Sequence, residues 1–164
     1  MRIAGIRNTS LHDGIGVNLV IFFQGCSHKC KGCQNPETWS KDGGYEVPID
    51  RVIKQIEENM GLISGVTFSG GDPVQQSDAV YEIAKWCKRH GLTTTLYTGY
   101  KMCDLHKVWY DQNQKRWRLI SYRPYIDYII DGKFEESKKE DLPFRGSSNQ
   151  NIWKNDGMGN FYMT

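Results

Sequence analysis

Short apolar runs alternate with amphipathic segments along most of the chain. Four runs rich in β-branched and aromatic residues predict strands, at residues 17–23, 65–68, 92–97 and 125–130. Between these strands, apolar residues recur at helical spacing and predict helices at residues 48–60, 77–90 and 103–121. Because strands that alternate with helices form βαβ units, the pattern predicts an α/β fold with an open parallel sheet and flanking helices.

A turn of unusual composition follows each of the four predicted strands. Each turn contains glycine, and the four lie at residues 24–33, 69–73, 98–100 and 131–133. Right-handed crossovers place the carboxyl ends of parallel strands along one edge of the sheet, where α/β proteins bind their ligands. We therefore predict a single functional site formed by these turns.

Composition and charge narrow the class of protein without identifying a partner. The chain has 164 residues, 38% of them hydrophobic and 24% charged, which predicts one domain over residues 1–164. A net charge of +2 gives no indication of a nucleic acid or membrane partner. The longest apolar stretch is too short to span a bilayer and no signal-peptide pattern is visible, so we expect a cytoplasmic protein. The segment 155–164 is predicted to be a loosely held end.

Three of the five cysteines lie within eight residues and carry the chemistry. Cys26, Cys30 and Cys33 follow a C-x3-C-x2-C spacing, which lets three thiolates converge on one iron–sulfur cluster. Three ligands on a four-iron cluster leave one iron open for a further ligand. The alternative is a structural zinc site completed by His28 or a distant residue.

The other candidate residues around the cysteines have less specific interpretations. His28 could tune a cluster electrostatically, but a histidine that faces solvent in a loop is the expected case. Cys87 lies on the apolar face of a predicted helix and is expected to be a buried structural thiol, whereas Cys103 has no assigned role.

The cysteine loop after the first predicted strand resembles that of radical S-adenosylmethionine (radical SAM) enzymes. The turn at 69–73 is similar to the Gly-Gly-Glu motif of that superfamily, with Asp72 in the acidic position. From residue 13 to about 153, the chain resembles more closely the activating enzymes of anaerobic ribonucleoside-triphosphate reductases. This resemblance is carried by GCSHKCKGCQNPETW at 25–39, FSGGDP at 68–73, LYTGY at 96–100, and DGKF at 131–134 followed by RGSSNQ at 145–150.

The resemblance implies a fold and a set of site residues. The fold would be a partial (β/α) barrel of the radical SAM type with its core at about 13–153. Cys26, Cys30 and Cys33 would hold a [4Fe–4S] cluster whose open iron binds S-adenosylmethionine (AdoMet). Glycines allow close backbone approach, so carbonyls of the turn Gly70, Gly71 and Asp72 would meet the ammonium of AdoMet. Many superfamily members carry an aromatic residue before the third cysteine, whereas this chain has Gly32, which leaves the adenine contact unassigned.

Two further turns would complete the AdoMet site. Thr98 would contact the ribose or carboxylate, although it could equally cap its strand. Asp131 and Lys133 resemble an acid-x-Lys pair whose cation would meet the methionine carboxylate, the alternative being an Asp-Gly turn with an exposed lysine. Residues 145–150 would close over the site or contact a partner protein.

The implied function is that of a glycyl radical activase. Such an enzyme cleaves AdoMet reductively and generates a glycyl radical on the large subunit of the anaerobic ribonucleotide reductase, with a low-potential electron donor such as flavodoxin. One alternative is an activase of the formate-lyase type. A second is an iron–sulfur electron carrier or zinc module without AdoMet chemistry. A small-molecule radical SAM enzyme is disfavoured, because a full barrel needs more than about 200 residues.

Overall fold

The computed structural model describes residues 1–108, 110–111, 116–117 and 122–164. The predicted helix at 103–121 corresponds to a helix at Met102–Val108. The prediction is wrong at Tyr110–Asp111 and Arg116–Trp117, which are two short strands that pair antiparallel, and the rest of it lies outside the described residues. The helices are α1 Ile49–Asn59, α2 Ser77–Arg89 and α3 Met102–Val108. The strands are β1 Arg2–Ser10, β2 Asn18–Phe23, β3 Tyr45–Glu46, β4 Gly65–Gly70, β5 Thr93–Thr98, β6 Tyr110–Asp111, β7 Arg116–Trp117, β8 Tyr128–Asp131, β9 Lys139–Leu142, β10 Arg145–Ser147, β11 Asn151–Asn155 and β12 Phe161–Met163.

The main sheet has eight strands in the order β12-β11-β8-β5-β4-β2-β1-β3. The four strands predicted from sequence, β2, β4, β5 and β8, are mutually parallel and form its centre. The strands on both edges pair antiparallel to their neighbours. The α/β class is therefore confirmed, but the sheet is mixed and not purely parallel as predicted.

Both edges of the sheet contain strands that the sequence pattern did not predict. β1 mixes polar and apolar residues and its register with β2 is twice interrupted, so it lacks a regular alternation. β12 pairs with β11, which corrects the prediction that the segment 155–164 is loosely held. The Asn155 side chain holds the intervening turn, because its Oδ1 accepts hydrogen bonds from the amides of Gly157 and Gly159 at 2.9 and 3.0 Å.

The helices cover one face of the sheet because each carries a single apolar stripe. α1 buries Val52 and Ile56, and α2 buries residues at i, i+3, i+4 and i+7, namely Val80, Ile83, Ala84 and Cys87. They pack against alternate strand residues Leu19, Ile21, Phe23, Val66, Phe68, Leu96 and Ile129. None of the helices in the described part of the chain is long and apolar enough to cross a bilayer.

Candidate active site

A cleft opens at the carboxyl ends of the central parallel strands, at the edge that the sequence pattern predicted. Its volume is about 280 Å³, close to the lower limit of about 300 Å³ for small-molecule pockets. Seven of the nine predicted site residues line it: Cys26, Cys30, Cys33, Gly70, Gly71, Thr98 and Lys133. The remaining two, Asp72 and Asp131, are each 1% exposed and are not among the residues that line the cleft.

Backbone hydrogen bonds fix the entrance to the cysteine loop. The amides of Gly25 and Cys26 donate to the carbonyls of Thr38 and Trp39 at 2.7 and 3.1 Å. The Gln24 side chain reaches across the loop and donates to the carbonyls of Glu37 and Ser40 at 3.0 and 2.6 Å. The loop thus folds back on itself, and its three cysteines are brought to one side.

The three thiols are partly buried and free of disulfide bonds. Burial raises the pKa of Cys26, an effect that the backbone amide of His28 partly offsets, and burial likewise raises the pKa of Cys30. The amide of Asn35 donates a hydrogen bond to Cys33 Sγ at 3.4 Å. Thiols converging on one cleft, with an amide aimed at sulfur, form a donor set suited to an iron–sulfur cluster.

A zinc site closed by His28 does not fit this arrangement. Nowhere in the described ranges do three His, Cys, Asp or Glu side chains converge on a single ion position. In addition, Nε2 of His28 already lies 2.7 Å from Asp72 Oδ2. His28 is therefore engaged by Asp72 and does not complete a set of zinc ligands with the cysteines.

The Gly-Gly-Asp turn lies directly against the start of the cysteine loop. Gly70 has a φ of +95°, in the region that favours glycine. The amides of Gly71 and Asp72 donate to the carbonyls of Phe23 and Gly25 at 2.7 and 2.9 Å. A Cβ on Gly71 would collide with the Gly25 carbonyl, so only glycine allows this approach.

The Asp72 carboxylate points into the protein beneath the cleft. It accepts hydrogen bonds from the amides of Val74 and Gly99, both at 3.0 Å, and from the Thr98 hydroxyl at 3.0 and 3.1 Å. Nε2 of His28 lies 2.7 Å away. The side chain of Asp72 is therefore committed to internal partners, while the backbone of its turn borders the cleft.

His28 does not face solvent, contrary to the expectation from its position in a loop. Its side chain is 7% exposed and packs edge-on against Tyr100, with ring centroids 4.4 Å apart. A Cβ on Gly99 would collide with the His28 ring. The sequence contains only a weak signal of this role, the place of His28 between two cysteines, because its acidic partner lies 44 residues further along.

Asp131 and Lys133 separate into a structural and a cleft-lining residue. Asp131 Oδ2 accepts from the Met102 amide at 2.6 Å, and Oδ1 accepts from Asn151 Nδ2 at 2.9 Å, so this carboxylate joins α3 to β11. Lys133 lines the cleft, and its charge opposes the burial that raises the pKa of the Cys30 thiol. The aspartate and the lysine, two positions apart in sequence, therefore have different surroundings.

The RGSSNQ segment at 145–150 forms part of the cleft wall. Gln150 Oε1 accepts from the amides of Gly146 and Ser147 at 2.9 and 3.2 Å, and its Nε2 donates to the Gly132 carbonyl at 2.9 Å. Arg145 Nη1 donates to the Gln150 carbonyl at 3.1 Å. These bonds attach the segment to the turn after β8, and Gly146 and Gln150 line the cleft.

Several cleft residues could not be anticipated from the motifs. Arg7 on β1 pairs with Asp13 at 3.3 Å and lies over the Phe22 ring at 5.4 Å, and all three line the cleft. Trp39 and Tyr97 line it as well, and burial raises the pKa of Tyr97. Alternation along β2 and β5 could have indicated Phe22 and Tyr97, but Arg7 belongs to a strand that the pattern missed.

Comparison with known proteins agrees with this site. A family model described as "4Fe-4S single cluster domain" matches residues 12–153. This match confirms the class of protein: an iron–sulfur protein with one four-iron cluster.

Relatives identify the family within that class. The anaerobic ribonucleoside-triphosphate reductase-activating protein of Enterobacteria phage T4 is 33% identical over 153 residues, covering 89% of this chain and 90% of the relative. The chain belongs to the family of anaerobic ribonucleoside-triphosphate reductase-activating proteins. This confirms the predicted enzyme class, a radical SAM activating enzyme, and its predicted cofactors, a [4Fe–4S] cluster and AdoMet.

Two further similarities cover less of the chain. The pyruvate formate-lyase-activating enzyme of Clostridium pasteurianum is 38% identical over 102 residues, which is 60% of this chain and 43% of that protein. The crystal structure of QueE from Escherichia coli covers 60% of this chain and 51% of its own, with a TM-score of 0.44 and 15% identity.

Proposed function

We propose that this chain cleaves AdoMet reductively and generates a glycyl radical on the large subunit of an anaerobic ribonucleoside-triphosphate reductase. One observation carries the proposal: the three thiols of the cysteine loop and the ends of the parallel strands line the same cleft. The names of the relatives, which are reductase-activating proteins, also support the proposal.

In the proposed site, Cys26, Cys30 and Cys33 would hold the [4Fe–4S] cluster. When bound and reduced, the cluster would supply the electron for the reductive cleavage of AdoMet. The backbone of Gly70, Gly71 and Asp72 binds the methionine ammonium through its carbonyls.

Other residues of the cleft orient the substrate. Thr98, buried at the end of β5, positions the ribose or carboxylate, and Lys133 at the rim pairs with the methionine carboxylate. Asp131 supports Lys133 indirectly, because its carboxylate fixes the strand end from which the turn at Gly132 begins.

The proposed architecture is a partial (β/α) barrel of the radical SAM type, formed by residues 1–164 as one domain. In such a partial barrel, the face of the sheet opposite the helices stays accessible to a protein loop. The partner would insert a glycine-bearing loop from that side, and a low-potential donor such as flavodoxin would reduce the cluster.

The first test is anaerobic. The protein is reconstituted with iron and sulfide, reduced with dithionite and mixed with AdoMet, and 5′-deoxyadenosine is quantified by chromatography. We expect formation by the wild type and by Cys103→Ala, which alters an exposed cysteine, and none by Cys30→Ala. A fully loaded cluster that yields no 5′-deoxyadenosine would contradict AdoMet cleavage and favour an electron carrier.

A second candidate is activation of a formate lyase, because the 38% identity to such an activase includes much of the chain. The two functions are separated by incubating the loaded enzyme with AdoMet and either target protein, and recording the glycyl radical by electron paramagnetic resonance (EPR). We expect the radical signal on the reductase. A signal on formate lyase alone would replace the first proposal with the second.

A further inference from the structure

Three of the motifs that define this chain meet at one buried carboxylate. Asp72 belongs to the Gly-Gly-Asp turn, His28 to the cysteine loop, and Thr98 to the Tyr-Thr-Gly-Tyr segment at the end of β5. His28 Nε2 and the Thr98 hydroxyl both lie within hydrogen-bond distance of the Asp72 carboxylate, at 2.7 Å and at 3.0 and 3.1 Å. The motifs are far apart in sequence, and this carboxylate joins their side chains.

The surroundings of Asp72 make each of these partners costly to remove. A carboxylate that is 1% exposed requires donors, because burial of an unpaired charge is strongly unfavourable. Two of its donors are backbone amides: that of Val74, just after the turn, and that of Gly99, the residue that follows β5. His28 is the donor that comes from the cysteine loop, so this hydrogen bond attaches the loop to the strand ends.

The cysteine loop is shaped so that His28 can reach this partner. Lys29 has a φ of +48°, an uncommon conformation for a residue with a side chain, directly after the histidine. The His28 ring occupies the space that the missing Cβ of Gly99 leaves, and it packs against Tyr100. The backbone between the first two cysteines is thus bent around a fixed imidazole ring.

We propose that His28 is a positioning residue. Its hydrogen bond to Asp72 holds the arc from Cys26 to Cys30 against the ends of β4 and β5, so that the thiols face the cleft before the cluster binds. The role is distinct from metal ligation and from contact with AdoMet. This proposal depends on the proposed function at one point: the thiols that His28 positions are taken to be the ligands of the catalytic cluster.

Two substitutions separate the hydrogen bond from the ring. In His28→Gln the side-chain amide can still donate to Asp72, whereas in His28→Phe the ring can still pack on Tyr100 but no donor remains. His90→Ala is the matched control, because His90 lies exposed at the end of α2 and stacks on Trp86. Circular dichroism of each variant establishes that it is folded.

The first readout uses the protein without its cluster. Hydrogen–deuterium exchange of peptides covering residues 25–34 and 98–100 reports whether the loop is held in place. We expect faster exchange in His28→Phe, and wild-type protection in His28→Gln and His90→Ala. Because this measurement involves neither cluster nor AdoMet, it stands even if the wild type fails to cleave AdoMet.

The second readout uses the loaded protein. Iron loss to a chelator should be faster in His28→Phe, by about the 10- to 100-fold that loss of an outer-shell partner costs in metal affinity. The EPR signal of the reduced cluster should respond to AdoMet as in the wild type for His28→Gln and His90→Ala, but not for His28→Phe.

Three results would overturn the proposal. One is wild-type exchange and iron retention in His28→Phe. Another is a defect in His28→Gln with none in His28→Phe, which would assign the role to ring packing. The third applies if His28→Phe does not fold. In that case, iron loss from His28→Gln as rapid as from Cys30→Ala would overturn the proposal, and wild-type iron retention by His28→Gln would support it.

A double-mutant cycle that combines His28→Phe with Asp72→Asn should show non-additive effects on iron loss, since the two residues act together.

Discussion

On the helix-covered face of the central sheet, β2, β4 and β5 present Leu19, Phe68 and Leu96, all fully buried. On the opposite face the same strands present Phe22, Ser69 and Tyr97, which line the cleft. Because side chains alternate along a strand, each strand contributes to both environments. One face is apolar, whereas the other is mixed in polarity and opens into the cleft at the strand ends.

Folding stability and chemical groups are concentrated on different faces of this sheet. The helix face buries large side chains against α1 and α2, and such burial is the main source of folding free energy. The cleft face instead brings thiols, glycines and polar groups together at the strand ends. Substitutions on the two faces should therefore have separable consequences, which the following experiments test.

The largest effect on stability is expected from Phe68→Ala. Phe68 is fully buried and packs against Phe23, with ring centroids 6.2 Å apart. Loss of the ring should lower the free energy of unfolding by about 3–5 kcal/mol. Ser69→Ala, on the next residue and the other face, should change it by less than about 0.5 kcal/mol. Chemical denaturation measures both, and equal losses would remove the distinction between the faces.

Gly71→Ala should have the next largest effect. The new Cβ would strike the backbone carbonyl of Gly25, which cannot rotate away as a side chain could. We expect a loss of about 1–3 kcal/mol in the free energy of unfolding, together with weaker AdoMet binding. Gly61→Ala is the control, since no atom lies within 4 Å of its added Cβ. If both variants have the free energy of unfolding of the wild type, the turn and the cysteine loop do not approach each other as closely as described.

Cys87, on the helix face, predicts a pH dependence. Burial raises the pKa of its thiol from 9.0 to about 12. Above pH 9 the folded protein retains a proton that the unfolded chain has released, so the free energy of unfolding falls as pH rises from 9 towards 12. Between these limits the wild type should lose up to about 1.4 kcal/mol per pH unit more than Cys87→Ala. Parallel slopes in the two denaturation series would show that burial does not raise the pKa of this thiol.

The smallest effect is expected from Thr67→Val on the cleft side. The Thr67 hydroxyl donates to the Asp13 carbonyl and so attaches the loop before β2 to the sheet. Valine keeps the branched shape but removes the donor, which should cost about 0.5–1.5 kcal/mol. Thermal or chemical unfolding measures the change. An unchanged or increased stability would indicate that the hydrogen bond contributes nothing.

The four central strands and two of the helices could be predicted because their signals are local. The apolar run in β2 and the stripe of Val80, Ile83 and Cys87 in α2 depend only on neighbouring residues. β1 and β12 were missed because edge strands lack a continuous apolar run, and pairing with a neighbour defines them. The cysteine cluster was predictable for the same reason as β2: its three ligands are close in sequence.

The α/β class, the thiol cluster and the edge of the sheet at which the site lies could all be predicted from the sequence. The inward position of His28 and the internal partners of Asp72 emerge only when the chain is folded. The same is true of Asp131, which joins α3 to β11, and of Lys133, which lines the cleft. The physical reason is that spacing along a chain specifies local geometry. The partner of a buried polar group depends instead on which distant segments the crossovers bring together.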